Sequence, residues 1–184
     1  QAVTNHFIKH GLAAHDFMMA VVDRPELLNA KPDTLITNIE GVVDLFTADG
    51  LTTEDYLGAA LKNPNLFTRS PWTLSSNILG LVERFAGEGL TCRDYLQGAL
   101  KQPSLFSTTP DTIAAHISGV ARLLEADGLT TNAYLKAALA KPSLLTMLPE
   151  TVAEHINGVV SRYEADGMTT GAYLNAALKH PSLF

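Results

Sequence analysis

Histidine pairs are the first features of this sequence that have the chemistry to bind a metal ion. His6 and His10 are four residues apart, so on a helix they would share one face. A zinc site needs three or four protein ligands, and no third ligand accompanies this pair in a recognisable motif. His116 and His155 are 39 residues apart, too far for one zinc ion, and predict a polar ladder that hydrogen-bonds between successive repeats. We therefore expect no metal site.

The single cysteine, Cys92, is the only thiol that could act as a nucleophile. It falls in the first turn of a predicted helix, where the helix dipole can lower a thiol pKa. No motif places a His or Asn beside it, and its equivalents in the other repeats are threonines. The sequence also has no glycine-rich phosphate loop, nucleophile elbow or paired-carboxylate motif. These observations predict a chain that is not an enzyme and uses no cofactor.

Composition narrows the class of protein further. The 184 residues include 13 Lys and Arg against 19 Asp and Glu, a net charge of −6, and 46% are hydrophobic. This composition is typical of a folded domain, and its acidity argues against nucleic acid or anionic lipid as the main partner. No signal peptide or membrane-spanning run is visible, so we expect no membrane partner. One cysteine excludes a disulfide framework, which is compatible with a reducing environment or with a secreted effector delivered to a cytosol.

Prolines and glycines recur at a constant interval of 39 residues. Pro32, Pro71, Pro110 and Pro149 form one such series, and several Thr, Ile, Tyr and Leu positions follow the same interval without a gap. A fixed period of this length is the signature of a repeat architecture. The sequence is thereby divided into a partial repeat, 1–31, and the repeats 32–70, 71–109, 110–148 and 149–184.

Each repeat has the pattern of two helices and a short turn. In the first full repeat, the apolar spacing predicts one helix over Pro32–Asp49, and Thr52 is placed to cap a second helix that ends before Pro64. The apolar residues after Pro64 favour a single 3₁₀ turn. Two such helices cannot bury both apolar faces alone, so the pattern predicts an all-α fold, an α-solenoid of 39-residue units with antiparallel helices.

Two further features bear on how the repeats pack. Gly41 recurs at the same place in the middle of the first helix of every full repeat, which predicts the close approach of another helix. Neither end of the chain has the polar capping helix that solenoids normally carry. The chain is therefore expected to be a slice of a longer array, or to associate end to end with another copy of itself.

The repeat pattern resembles that of the mitochondrial transcription termination factors (the mTERF-type family). Repeats of that family consist of two helices followed by a short 3₁₀ helix, and the family binds double-stranded nucleic acid along a basic groove. The resemblance therefore implies the same helical fold and possible nucleic-acid binding. Near-identical tandem repeats also resemble the arrays of secreted bacterial effectors and modular sequence readers. The matching positions of the third full repeat are Pro110, Ile113, Ile117, Gly128, Leu129, Tyr134, Leu135, Leu139, Pro142, Leu144 and Leu145.

Variable positions on the predicted outer faces are the candidates for partner binding, because the invariant positions maintain the scaffold. A solvated surface that varies freely is the alternative interpretation. The mixed character of these positions favours a protein partner. On the first helices, the two columns are Glu40, Leu79, Ser118 and Asn157, and Asp44, Glu83, Arg122 and Ser161. On the second helices, they are Glu54, Arg93, Asn132 and Gly171, and Gly58, Gln97, Lys136 and Asn175.

Trp72 and a series of lysines add two more candidate sites. Trp72 occupies a position that is acidic in the other repeats, and it is interpreted either as an exposed binding residue or as a packing contact between repeats. The lysines near the ends of the second helices predict, as an alternative function, a ladder of phosphate contacts for nucleic acid. A purely structural spacer is a third possibility. The lysines of this ladder are Lys62, Lys101, Lys141 and Lys179.

Overall fold

The computed structural model describes residues 1–184 and is all-helical, with 83% of the chain in helices and no strand. None of the ten α-helices combines the length and apolar character that a bilayer-spanning segment requires. The α-helices are α1 (Ala2–Phe7), α2 (Ala14–Asp23), α3 (Pro32–Phe46), α4 (Thr53–Lys62), α5 (Pro71–Arg84), α6 (Cys92–Lys101), α7 (Pro110–Leu123), α8 (Thr131–Ala140), α9 (Pro149–Tyr163) and α10 (Thr170–Lys179).

Short 3₁₀ helices follow the α-helices. Three-residue turns follow α1, α3, α5, α7 and α9, and turns that begin at a proline follow each of the other five helices. The prediction of a 3₁₀ turn after Pro64 is confirmed. The proline-initiated turns are Pro25–Asn29, Pro64–Thr68, Pro103–Ser107, Pro142–Thr146 and Pro181–Leu183.

Local sequence signals account for where these helices begin. Thr52 accepts a hydrogen bond from the backbone N–H of Asp55 at 3.1 Å, which is the predicted N-cap of α4. Ser70 and Thr109 cap α5 and α7 in the same way, through the N–H groups of residues three positions later. The proline that opens α7, Pro110, has no backbone donor to lose in the first turn.

The first helix of each repeat ends earlier than the apolar spacing indicated. α3 was predicted to run to Asp49, but its α-helical part ends at Phe46 and Thr47–Asp49 forms a 3₁₀ turn. Gly50 follows with φ of +93°, a left-handed conformation that glycine adopts without strain. The N–H of Leu51 then bonds to the carbonyl of Phe46 at 3.1 Å, which closes the helix terminus.

The chain divides into two compact units. Unit 1 comprises residues 1–80 and 92–108, and unit 2 comprises residues 81–91 and 109–184. The division falls inside α5, so this helix contributes residues to both units.

In unit 1, buried aromatic side chains join α2, α4 and the turns that follow α4 and α6. Phe67 packs edge-on against Phe17 with ring centroids 5.4 Å apart, and Phe106 packs in the same way on Tyr56 at 5.8 Å. The Tyr56 hydroxyl donates to the carbonyl of Leu66 at 3.1 Å, tying α4 to its own turn. Burial raises the pKa of the Tyr56 phenol well above its ordinary value, so this donor stays protonated.

Unit 2 has a core of the same kind, built from α8 and the two turns beside it. The Tyr134 hydroxyl donates to the carbonyl of Leu144 at 3.3 Å, and Phe184 packs edge-on against Tyr134 with centroids 5.5 Å apart. Both aromatic residues and Leu144 are buried. Burial also raises the pKa of the Tyr134 phenol.

The predicted close approach at the mid-helix glycine is confirmed in each unit. A Cβ added to Gly41 would lie 2.6 Å from Cγ of Pro71, and one added to Gly119 would lie 2.5 Å from Cγ of Pro149. Such distances are far shorter than van der Waals contact, so only glycine fits. Each glycine therefore allows its helix to touch the first residue of the next long helix in its unit.

The expected histidine ladder between repeats is wrong for His116. Its Nδ1 donates to the carbonyl of Leu145 at 3.1 Å, in the turn at the end of the same repeat. Asn38 in unit 1 makes the equivalent contact with the carbonyl of Phe67 at 3.5 Å. A 3₁₀ turn leaves carbonyl groups unpaired, and a donor on the first helix of that repeat satisfies one of them.

Candidate partner-binding surface

The exposed face of α5 carries two large apolar side chains. Trp72 is 76% exposed and Leu79 is 50% exposed. Seven residues are close to two helical turns, so both side chains lie on one side of α5, with exposed Ser76 between them. Of the two interpretations of Trp72, the exposed one agrees with the structure, because its side chain is not covered by packing between repeats.

The corresponding face of α3 is acidic. Glu40 and Asp44 are both exposed and lie one turn apart. The Glu40 carboxylate contacts Nε2 of His6 at 2.7 Å, so this glutamate is already held by α1 within unit 1. His6 therefore pairs with a carboxylate, while His10 lies in the 3₁₀ turn after α1 rather than one helical turn further along the same α-helix.

A cleft of about 400 Å³ in unit 2 brings together α7 and the start of α8. Ser118 and Arg122 line one wall from α7, and Thr130 and Thr131 line the other from α8. The two predicted positions on α7 thus face a concave surface and not open solvent alone. Nearby, Arg84 makes an exposed ion pair with Asp111 at 2.6 Å.

Most of the remaining predicted positions are exposed, but they are scattered over several helices. Glu83 lies on α5, Asn157 and Ser161 on α9, and the exposed second-helix residues on α4, α6, α8 and α10. No pocket gathers the second-helix residues into one site. The exposed second-helix positions are Glu54, Arg93, Gln97, Lys136 and Asn175.

Asn132 is a correction among these positions. It was predicted to point outward, but it is half-buried and its Nδ2 donates to the carbonyl of Glu88 at 2.6 Å in unit 2. Gly171, in the same column, lies with its Cβ direction 3.6 Å from the carbonyl of Asp127. In unit 2, this column therefore packs on the end of a three-residue turn and is not available to a partner.

The lysine ladder has one member that differs from the others. Lys62, Lys101 and Lys179 are exposed, whereas Lys141 is half-buried and its Nζ donates to the carbonyl of Ser182 at 3.4 Å. Lys141 therefore belongs to the packing of unit 2, and it does not extend the series of free cations.

Lys62 also borders a polar cleft in unit 1 that the sequence patterns did not reveal. The cleft has a volume of about 450 Å³ and lies between the end of α4 and the turn after α6. Its lining residues come from two repeats and vary in type, so no periodic pattern marks them. Beside Lys62, the polar residues of its lining are Asn63, Asn65, Gln102, Ser104, Ser107 and Thr108.

The structure gives Cys92 an environment opposite to that of an activated thiol. Burial raises the pKa of the Cys92 thiol, and the Asp49 carboxylate raises it further. These effects oppose the influence of the helix N-terminus and keep the sulfur protonated near neutral pH. No three His, Cys, Asp or Glu side chains form a group suited to a metal ion.

The chain was compared with known proteins. No protein-family model matches it, and no curated protein matches its sequence. The resemblance to the mTERF-type repeats therefore stays a prediction that depends on the repeat pattern alone.

Proposed function

We propose that this chain is a non-enzymatic α-solenoid of 39-residue units that acts as a scaffold and binds a protein partner. Helices α3, α5, α7 and α9 each begin at a proline, at intervals of 39 residues, and the second helices recur at the same interval. The tight glycine–proline contact occurs once in unit 1 and once in unit 2. Stacking of equivalent helix pairs accounts for both regularities.

The observation that carries the binding proposal is the exposed pair Trp72 and Leu79 on α5. At the equivalent positions, the other long helices carry acidic residues in place of Trp72, and Glu40, Ser118 and Asn157 in place of Leu79. A large aromatic side chain that is mostly exposed costs the free protein an unfavourable contact with water. Tryptophan is also the residue type most enriched among the energetic centres of protein interfaces.

Charge around this face indicates the chemistry of the partner. Glu83 is exposed one turn beyond Leu79, and the whole chain carries a net charge of −6. A complementary surface would have an apolar pocket for the indole ring and basic residues at its rim. Such charges mainly raise the rate of association, whereas the buried ring supplies the affinity.

A matched pair of variants tests this proposal. Trp72→Ala combined with Leu79→Ala removes the apolar face, and Leu45→Ala on α3 removes an equally exposed leucine elsewhere. Proteins retained from nuclease-treated extract by each variant would be quantified by mass spectrometry, and the affinity of any retained protein measured by calorimetry. We expect the double variant to weaken binding about thirtyfold or more, and Leu45→Ala to leave it unchanged.

Two outcomes would contradict the proposal. If the double variant and Leu45→Ala retain the same proteins with the same affinity as the parent chain, the α5 face is not the binding surface. If retention disappears on nuclease treatment of the extract, the partner is nucleic acid.

Nucleic-acid binding is the second candidate function, favoured by the polar cleft beside Lys62 in unit 1. Amide and hydroxyl side chains there have hydrogen-bond donors suited to a sugar–phosphate backbone, and Lys62 and Lys101 are exposed cations. Four phosphate contacts would give a salt slope of about −3.6, or roughly a 150-fold loss of affinity for a fourfold rise in salt. Fluorescence anisotropy with duplex DNA and duplex RNA across a salt series measures this slope directly.

A further inference from the structure

We propose that this chain binds a second copy of itself head to tail. The leading face of one copy comprises Met18 and Leu28, with His15 and Glu26 beside them. The trailing face of the other comprises Tyr163 and Leu183, with Asp166 and His180. Both faces expose apolar residues whose equivalents elsewhere in the chain are buried, and the buried equivalents show how the covering residues pack. The inference does not depend on partner binding at Trp72.

The leading face has lost the contacts that its equivalents make. Leu28 is 70% exposed, yet Phe67, which is 39 residues further along, is fully buried against Phe17. Met18 is also exposed, whereas its equivalent Leu57 is buried in unit 1, where α4 contacts α2. α2 therefore presents an apolar surface that its counterpart α4 covers by packing on a preceding helix pair.

The trailing face shows the complementary loss. Tyr163 is 45% exposed and Leu183 is 38% exposed, although their equivalents in unit 2, Leu124 and Leu144, are buried. An open groove of about 600 Å³ lies between them, lined also by Gly158 and Tyr173. A Cβ on Gly158 would meet nothing within 4 Å, whereas the equivalent Gly119 contacts Pro149 tightly.

Aromatic packing within each unit supplies the template for the apolar contact. Phe106 covers Tyr56 in unit 1, and Phe184 covers Tyr134 in unit 2. By the same register, Leu28 of a second copy would cover Tyr173, the tyrosine beside the open groove. The occupant of the trailing face is thus a surface of the same sequence family as the one already packed on Tyr134.

The first polar contact across the interface follows from two hydrogen bonds inside the units. Arg24 donates to Asn65 in unit 1, and Lys141 donates to the carbonyl of Ser182 in unit 2. Both bonds join the last residue before a proline-initiated turn to the second residue of the following such turn. In the same register, His180 of one copy meets Glu26 of the next, and both residues are exposed.

The second polar contact follows from the column of Asn132. Asn132 donates to the carbonyl of Glu88, at the end of a three-residue turn. The equivalent residues are His15 on the leading face and Asp166 on the trailing face, both exposed. The two faces therefore place a histidine opposite a carboxylate twice, with the histidine on a different face each time. This alternation favours head-to-tail pairing over the pairing of two like faces.

Complementation between two variants tests the proposal on the full chain. Leu28→Asp blocks the leading face and Leu183→Asp blocks the trailing face, and both replaced side chains are solvent-exposed, so folding should persist and circular dichroism would verify it. Sedimentation velocity would follow each protein from micromolar to millimolar concentration. We expect the parent chain to grow beyond the dimer, since a head-to-tail contact leaves both faces available on every assembly.

The expected pattern has three parts. Each single variant stays monomeric, and an equimolar mixture of the two forms a one-to-one complex that grows no further. Glu26→Lys or His180→Glu alone weakens association roughly two- to fivefold, and the double variant restores it, because each histidine–carboxylate pair is a rim contact.

Three results would overturn the proposal. The first is a parent chain that remains monomeric over the whole concentration range. The second is self-association of the parent chain without formation of the mixed complex, which would place the contact on another surface. The third is association of the parent chain that persists in both single Asp variants.

Discussion

Phe67 and Leu28 occupy the same position in the 39-residue pattern, yet one is buried and the other is mostly exposed. The two lie in the same compact unit and follow the same kind of proline-initiated turn. The difference arises from the neighbour: Phe67 has the ring of Phe17 to pack against, and Leu28 has no such partner. The comparison shows that a position in the pattern defines a surface, while the adjacent helix pair decides whether that surface is core.

The largest expected effect comes from truncating these two side chains in parallel. Phe67→Ala removes a fully buried ring and leaves a cavity, so we expect it to lower the free energy of unfolding by about 3–5 kcal/mol. Leu28→Ala should change it by less than about 0.5 kcal/mol in the monomer. Urea unfolding followed by circular dichroism measures both. Equal destabilisation by the two changes would mean that Leu28 is covered in solution.

The tyrosines of unit 2 sharpen the comparison with a smaller change. Tyr134→Phe removes the hydroxyl that donates to the buried Leu144 carbonyl, and we expect a loss of about 1–3 kcal/mol. Tyr163→Phe alters an exposed residue and should have an effect within about 0.5 kcal/mol. Thermal unfolding of both variants at the same protein concentration provides the measurement. A neutral Tyr134→Phe variant would show that the carbonyl finds another donor.

The mid-helix glycines of unit 2 give the smallest effect but predict opposite signs. Gly119→Ala drives a methyl group into the Pro149 ring, at a cost of about 1–3 kcal/mol that a gain of about 1 kcal/mol in helix propensity partly offsets. Gly158→Ala meets no neighbour and should stabilise the chain by up to about 1 kcal/mol. Denaturant midpoints of the two variants check the signs. Stabilisation by both would show that the contact with Pro149 relaxes freely.

Much of the helical structure could be predicted because its signals are local. A cap such as Thr52, a proline such as Pro71 and a left-handed glycine such as Gly50 each fix a boundary through the backbone itself. The end of α3 was placed three residues too late, since apolar periodicity continues into the 3₁₀ turn and does not distinguish the two helix types.

The candidate binding surface was less accessible to sequence reasoning. Exposure of Trp72 depends on what packs beside it, and the sequence left both interpretations open. Asn132 was placed outside because its column varies, yet its amide bonds to a carbonyl 44 residues earlier. A backbone acceptor imposes no residue type on its donor, so His, Asn and other polar residues can alternate at such positions. Variation within a column is therefore a poor guide to solvent exposure.

The contacts of Gly41 with Pro71 and of Gly119 with Pro149 have a consequence for how the length of this chain can change. Each contact joins two residues separated by 30 positions, so inserting or deleting one residue between them rotates the second helix by about 100° and separates the pair. Removing or adding a complete 39-residue segment leaves every such spacing intact. Evolution of this molecule should therefore proceed in whole segments, and its loops should resist the small insertions that most proteins tolerate.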